Sequence, residues 1–506
     1  MDNYKSAFDN RKLVEKQIKE EIIEGRYLVC SEPATIVSAL GAIPKAAGGV
    51  RLIHDCSRPC GTALNDYASN DNKIKYQTIK DAVHLLTPEG YMAKVDLKSA
   101  YRSVALHPSQ YEYTGLKWTF EGADRPTHLL DTRLCFGARL SPGIFHRLTQ
   151  AVCRIMLSRN FKTAAYLDDF ILLSNSKAHC QEGLNVLISL LRDLGFAIAW
   201  PKVETPTQEL IFLGILINSK SMSLHLPEEK VGSFKSLLNL FKTRTRASCR
   251  QLQQLAGKLS WAAHVVRGGR IYLQRVLDLM RPLKQPHHKV ILNSEFQLDI
   301  EWWLNYIDHF NCTYMLRPPG PTVDVYTDAC GSGAGMVTHN DWAYVNWQSD
   351  MPEILDTHIN VKETVAVVAA ATRWAPLWTG CHVIVHTDNI TTKAAINKGR
   401  CTSSLIMCFV RYLFWLSEQY QFSITCIYVP GALNIQADAV SRLTHRGHLL
   451  YWLSVLAAGC PYTKSDLGCW LLHHCSSQTA IKIFLQACRT VPWLKSSTKQ
   501  LQTINV

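Results

Sequence analysis

Two adjacent carboxylates, Asp168 and Asp169, sit in an otherwise apolar stretch. Ala164-Ala165-Tyr166-Leu167 precedes them and Phe170-Ile171-Leu172-Leu173 follows. Carboxylates are costly to bury unless a cation neutralises them. Neighbouring residues of a strand point to opposite faces, so a tight turn is needed to bring both acids toward one site. The stretch therefore predicts a hairpin with its acids at the turn, and the bland alternative is a polar hairpin tip with no ligand. Asp96 shifts the balance. It ends the β-like run Tyr91-Met92-Ala93-Lys94-Val95 and opens Leu97-Lys98-Ser99-Ala100-Tyr101. A third carboxylate completes a set suited to hard divalent cations, which prefer oxygen ligands. Two such ions stabilise the attacking and leaving oxygens of an in-line phosphoryl displacement.

A second acidic set follows the proline-rich segment Arg317-Pro318-Pro319-Gly320-Pro321. Val323-Asp324-Val325-Tyr326-Thr327 alternates like a strand and ends at Asp328, before the glycine-rich turn at 330–335. Glu363 opens a helical stretch, Asp388 ends the strand-like Val383-Ile384-Val385-His386-Thr387, and Asp438 lies between Asn434 and Arg442. One such acid is more often a helix cap or a surface charge. Acids at strand ends beside an acid on a helix can converge on metal ions, and four in this order are much less easily dismissed.

Composition bounds the rest. The chain has 506 residues, 47% hydrophobic and 19% charged, which excludes a largely disordered chain. A formal net charge of +13 suits a polyanionic partner or a solvated basic surface. The 17 cysteines are odd in number and show no paired zinc spacing, so no disulfide framework or zinc module is indicated. The polar start lacks the apolar core of a signal peptide. The apolar stretch at 449–460 is too short to span a bilayer. These features predict a reducing intracellular setting, cytoplasm or nucleus.

Local patterning places the motifs. Residues 1–30 have helical spacing, with Ile18, Ile22 and Ile23 marking one face. Residues 31–55 read as a hairpin around Lys45-Ala46-Ala47-Gly48-Gly49. Leu252, Leu255, Leu259 and Ala263 predict a helix over 248–266.

The block Val95-Asp96-Leu97-Lys98-Ser99-Ala100-Tyr101 together with Tyr166-Leu167-Asp168-Asp169 resembles the palm of a reverse transcriptase. By that likeness Asp96 and Asp168 bind both metals, Asp169 is less directly engaged, and Tyr101 is an aromatic gate against the ribose 2′-OH. Tyr101 alone would read as a core tyrosine. Val50 to Arg58 resembles the fingers strand, where Lys45 and Arg51 would contact the triphosphate as cations suited to phosphate oxygens. The segment from Leu134 to Phe145 resembles the template-positioning loop, with Phe136 and Gly137 at the nucleotide. Phe136 stands where retroviral enzymes carry Gln, so a Gln-type contact is not expected. Leu194-Gly195-Phe196 with Lys202 resembles the next motif, whose lysine protonates pyrophosphate. Phe212-Leu213-Gly214 resembles the primer grip, and the helix at 248–266 the thumb.

The acids Asp328, Glu363, Asp388 and Asp438 resemble those of ribonuclease H, over about residues 322–443. The loop Tyr428-Val429-Pro430-Gly431-Ala432-Leu433 lacks the histidine that many relatives carry before the last acid. His358-Ile359-Asn360-Val361-Lys362-Glu363 and the stretch from Thr387 to Gly399 look most like the DIRS-type retrotransposons, with gypsy-type elements next.

The resemblance implies an α+β and α/β multidomain chain, a right-hand polymerase followed by a ribonuclease H-like α/β domain. Its expected parts are an N-terminal helical segment (1–30), fingers and palm (31–240), thumb or connection helices (241–316), a linker (317–321), the ribonuclease H-like domain (322–443) and an unassigned tail (444–506). The expected activity is RNA-directed DNA synthesis with cleavage of RNA in RNA–DNA hybrids. Each site would use two Mg²⁺ (or Mn²⁺) ions. The expected partners are an RNA template, a DNA primer, the RNA–DNA hybrid and deoxynucleoside triphosphates, with no membrane. The alternative is a catalytically silent retroelement remnant that binds nucleic acid.

Overall fold

The computed structural model describes residues 2–448 apart from 46–47, 69–73, 311–312, 317–319, 340 and 446. Most of the expected linker and nearly all of the tail at 444–506 lie outside the described residues. The chain divides into two compact units, Met1–Leu224 and His225–Val506.

The first unit is built on a four-stranded antiparallel sheet in the order Lys162–Tyr166, Asp169–Ser174, Tyr91–Asp96, Glu204–Thr207. Its apolar content comes from the runs that flank the paired acids: Ala164, Ala165 and Phe170 to Leu173 are all buried. The helices Ser141–Ser158 and Lys177–Asp193 cover it. Leu184, Leu187 and Leu191 recur at helical spacing and are buried together. Ser176 caps the second helix by accepting from the His179 N–H. A three-stranded sheet, Tyr27–Cys30, Thr127–Asp131 and Gly115–Trp118, packs Leu129, Leu116 and Trp118 against Val14 and Ile18 of the helix Arg11–Ile23. The expected hairpin at 31–55 forms from Ala39–Pro44 and Val50–Asp55, with Pro44 opposite Val50.

The second unit combines helices with a five-stranded sheet. The strand order is Trp342–Asn346, Gly333–Thr338, Thr322–Ala329, His382–Thr387, Ser423–Tyr428. The first three strands are antiparallel, and the last two run parallel to Thr322–Ala329. Parallel neighbours need crossover connections, supplied here by the helices Ile359–Trp374, Ile390–Lys398 and Ser404–Gln419. The helix expected over 248–266 runs Cys249–Ala262. Ser248 and Gln251 form a capping box at its start. It stops earlier than its apolar spacing predicts, with Ala263 as its C-cap, and the chain turns from there to Gly268, in the left-handed region at φ +72°.

The helices read as thumb belong to the same compact unit as this sheet. Arg275 Nη1 bonds Asp299 Oδ1 at 2.7 Å, and Arg411 of Ser404–Gln419 stands 3.7 Å from the other Asp299 oxygen. Trp302 stacks on Tyr272 at 3.9 Å, with the Phe414 ring edge-on to both.

Gly335 permits the close seating of the short helix Ile435–Ser441. A Cβ there would overlap the Ala437 carbonyl and the Ser441 N–H. Gly335→Ala is expected to cost about 2 kcal/mol by overpacking, lowering the melting temperature by about 5 °C. An unchanged melting curve would show that the helix is not seated this closely.

Candidate active sites

Asp96 ends the central strand of the first sheet and is the direct cross-strand partner of Asp169. Asp168 occupies the two-residue turn between the paired residues Tyr166 and Asp169. That turn holds Leu167 at φ +53°, a conformation costing a non-glycine residue on the order of 1 kcal/mol. The Leu97 N–H donates to the Asp168 carbonyl at 3.1 Å, tying the turn to the chain just after Asp96. The hairpin with acids at its tip is therefore formed as expected.

The surroundings of these acids are electrostatically loaded. Burial, then the neighbouring Asp96 carboxylate, pushes the Asp169 carboxyl up to about 7. Asp169 Oδ1 is buried with no hydrogen-bond partner, and Lys94 Nζ stands 4.0 Å from it. Burial also raises Asp168, and the Asp96 charge adds to the rise. Asp96 Oδ2 accepts from Lys202 Nζ at 2.9 Å. Two backbone bonds bring Lys202 there: Lys98 N–H to the Ala197 carbonyl and Ala199 N–H to the Asp96 carbonyl, both 2.8 Å.

A cleft of about 490 Å³ opens over this turn. Lys45, Arg51, Asp96, Tyr101, Phe136, Asp168 and Lys202 all line it, as do Glu21 and Tyr27 of the N-terminal region. The Arg51 guanidinium lies 5.0 Å over the Phe136 ring, and that ring packs 4.8 Å from Tyr101. Gly137, at φ +126°, lets the loop meet the hairpin strand, since a Cβ there would overlap the His54 carbonyl. Phe212 and Gly214 do not line this cleft. They sit at the turn between Glu209–Phe212 and Ile215–Asn218, where the Phe212 side chain is buried. Leu213 and Gly214 both take positive φ there, as a two-residue hairpin loop demands.

In the second unit, Asp328 and Asp388 lie at the ends of adjacent parallel strands. The helix Ile359–Trp374 brings Glu363 to them, and the Ala329 N–H donates to Glu363 Oε1 at 3.1 Å. Ligand oxygens of Asp328, Glu363 and Asp388 all lie within 4.8 Å of one another. Among the described residues this is the one such acidic, His or Cys trio. Asp438 stands outside it, with its carboxylate held by Arg442 Nε at 2.8 Å. Burial pushes Asp328 up to about 6 and, with repulsion from Asp328 and Asp388, Glu363 up to about 9. Burial and the Asp438 charge raise Asp388 as well. Glu363 Oε2 is buried without a partner. An all-oxygen set with an orphaned buried oxygen fits a divalent cation. Asp96, Asp168 and Asp169 fit it by charge and by the orphaned Asp169 oxygen, but do not close to the same spacing.

Several residues around these acids had no assigned part in the sequence reading. Lys94 faces Asp169, and its place two residues before Asp96 was a usable signal, since alternate strand residues share a face. Ser441 Oγ donates to Asp328 Oδ2 at 2.6 Å, and Asn434 Nδ2 to the Thr327 carbonyl at 2.9 Å. Ser441 and Arg442 follow Asp438 at helical spacing, which again pointed to contact.

The raised Glu363 carboxyl has a consequence for stability. The folded chain keeps this proton where the unfolded chain has lost it. The metal-free fold therefore weakens as pH rises from the ordinary value of 4.5 toward about 9. Glu363→Gln is expected to stabilise the metal-free protein at pH 8 by on the order of 2 kcal/mol, with less gain at pH 5. Mg²⁺ should raise the melting temperature of the wild type more than that of the variant. A Glu363→Gln protein that melts below wild type at pH 8 without metal would contradict this.

Comparison with known proteins agrees with the geometry of the first unit. Residues 43–217 match the family described as reverse transcriptase (RNA-dependent DNA polymerase). The chain is 22% identical over 400 residues to the enzymatic polyprotein of Figwort mosaic virus (strain DxS), covering 75% of this chain and 54% of that protein. It is 23% identical over 442 residues to the retrovirus-related Pol polyprotein from transposon 412 of Drosophila melanogaster, covering 85% of this chain and 33% of that protein. The chain thus spans about half or less of the length of these relatives. Among solved structures, a foamy viral protease-reverse transcriptase in complex with double-stranded DNA superposes with a TM-score of 0.53 at 16% identity. That match covers 85% of this chain and 70% of the other. The chain carries a reverse transcriptase domain with virus and transposon polyproteins as its relatives, in the polymerase fold expected from the sequence.

Proposed function

We propose that this chain is an RNA-directed DNA polymerase that also cleaves RNA in RNA–DNA hybrids, serving the replication of a retroelement. The observation that carries the reading is the cleft where Asp96 and Asp168 meet Lys45, Arg51, Lys202 and Tyr101. Divalent cations, Mg²⁺ or Mn²⁺, two per site, would supply stabilisation of the attacking and leaving oxygens. Asp96 and Asp168 would hold them in the first site, with Asp169 behind. Asp328, Glu363 and Asp388 would hold them in the second, with Asp438 at its edge.

The remaining roles follow from the chain's own groups. Lys45 and Arg51 present cations to a deoxynucleoside triphosphate, and Phe136 backs the Arg51 guanidinium. Tyr101 offers its ring to the sugar. Lys202 already holds a proton-rich ammonium at the Asp96 carboxylate, where it can donate to departing pyrophosphate. The buried Phe212 shapes the Leu213–Gly214 turn, and the turn rather than the ring would meet a primer. The foamy viral relative was captured on double-stranded DNA, and a cleft lined with lysine and arginine suits the same phosphate backbones.

The stretches around Glu363 and Asp388 favour a DIRS-type element within this reading. A tyrosine recombinase frame beside the gene would support that, and an integrase frame would oppose it. The proposed substrates would suit a setting inside the cell, in cytoplasm or nucleus. No helix among the described residues is long and apolar enough to cross a membrane.

The test is primer extension on an RNA template with Mg²⁺, beside cleavage of a labelled RNA–DNA hybrid. Both activities are expected from one preparation. A protein that retains the hybrid on a filter yet neither extends nor cleaves would favour the silent binding protein instead.

A further inference from the structure

Two arginines and two carboxylates form a bonded set beside the cleft, extended by Glu24 at Arg26 and by His54 at Asp131. Arg102 Nη1 donates to both Asp131 oxygens, at 2.8 and 2.7 Å. Its Nη2 and Nε donate to Glu21 Oε2 at 2.8 and 3.0 Å. Arg26 takes the same carboxylate from its other side, Nε to Oε2 at 2.6 Å and Nη2 to Oε1 at 3.1 Å. The Arg102 guanidinium also lies 5.2 Å over the Tyr27 ring. Asp131 is fully buried and Glu21 is 5% exposed.

Stability alone gives little reason for such a set. Well-packed apolar residues of similar volume often serve a buried site as well or better than paired charges. What the charges hold in place is a second reason for them. Arg102 lies in the short turn Ala100–Ser103, entered through Ser99 in the left-handed region at φ +54°. Tyr101 is the preceding residue of that turn, and its ring packs on Phe136 at 4.8 Å and Phe145 at 5.4 Å. The turn is thus gripped on one side by rings and on the other by a guanidinium fork. That fork reaches the helix Arg11–Ile23 and the strand Thr127–Asp131. Glu21 lies outside the segment 43–217 that matches the polymerase family.

We infer that Arg102 is a positioning residue that fixes the Tyr101 ring, and through it the choice between deoxy- and ribonucleoside triphosphates. The inference rests on the polymerase reading above. It also assigns the N-terminal helix a part in substrate choice, because Glu21 is half of the Arg102 anchor. A lysine could keep the charge but not the planar fork that meets both carboxylates. A misplacement of about 1 Å near a reacting centre can change rates by about 100-fold.

The experiment is single-nucleotide insertion by the full chain, comparing kcat and KM for dCTP and CTP opposite a template guanine. Variants are R102K, E21Q, Y101A and Y101A/R102K, each checked by its melting curve. R102K and E21Q are expected to lower the dCTP-to-CTP ratio of kcat/KM by about tenfold, chiefly through a lower KM for CTP. Y101A should lower it further, and R102K should then add nothing. Folded R102K and E21Q proteins that discriminate like wild type would overturn the inference. So would an R102K effect of equal size in the Y101A background. If R102K fails to fold, E21Q decides alone. A wild type that extends no primer fails at the earlier step, overturning the polymerase reading and this inference with it.

Discussion

Asp168→Ala is expected to reduce Mg²⁺-dependent primer extension at least 1000-fold, a barrier increase of about 4 kcal/mol, while hybrid cleavage by the same protein is retained. Asp168 sits at the strained turn, faces the cleft, and is tied through its carbonyl to the Leu97 N–H. No neighbouring acid replaces it. Asp96 is engaged by Lys202, and Asp169 is half-buried on the adjoining strand. Loss of folding would not explain the result. A carboxyl whose folded-state pKa is raised weakens the fold in its charged form, so loss of its charge is not expected to destabilise the metal-free protein. The melting curve checks that point directly. Extension that proceeds equally in wild type and variant would sink the polymerase assignment, and a parallel loss of hybrid cleavage would point to misfolding.

The first site was legible in the sequence because its constraint is local. Asp168 and Asp169 are neighbours between apolar runs, and period-two strands leave a turn as the arrangement that gathers both acids. Asp96 at a strand end was readable for the same reason. The hairpin around Lys45 to Gly49 announced itself through paired glycines, which adopt φ +86° and +81°. The set joining Glu21, Arg102 and Asp131 was not readable. Its members come from a helix, a turn and a strand far apart in sequence, and each alone looks like a solvated charge. Periodicity overran the end of the helix at Ala262, since Ala263 continues the apolar spacing yet serves as the C-cap. The same spacing gave no hint that the following helices pack through Asp299 and Trp302 onto Arg411 and Phe414. Phe212 illustrates the opposite limit. A motif marked it as a substrate contact, whereas its side chain is buried.

Asp388→Asn is expected to abolish hybrid cleavage, by at least 1000-fold or about 4 kcal/mol, and to leave primer extension unchanged. The second site depends on three carboxylates whose oxygens lie within 4.8 Å, and one fewer negative charge leaves a poorer donor set for a hard cation. Asp438 does not compensate, because Arg442 already holds its carboxylate. Asp388 is the most accessible of the trio, so the amide should fold as the acid does. Asparagine keeps the size and one oxygen, so the loss would report charge rather than shape. Binding of Mg²⁺ gives a second readout: its effect on the melting temperature should shrink in the variant. Hybrid cleavage that survives Asp388→Asn would remove these acids from the nuclease role. It would leave the cleft at Asp96 and Asp168 as the chain's one candidate site for phosphoryl transfer among the described residues.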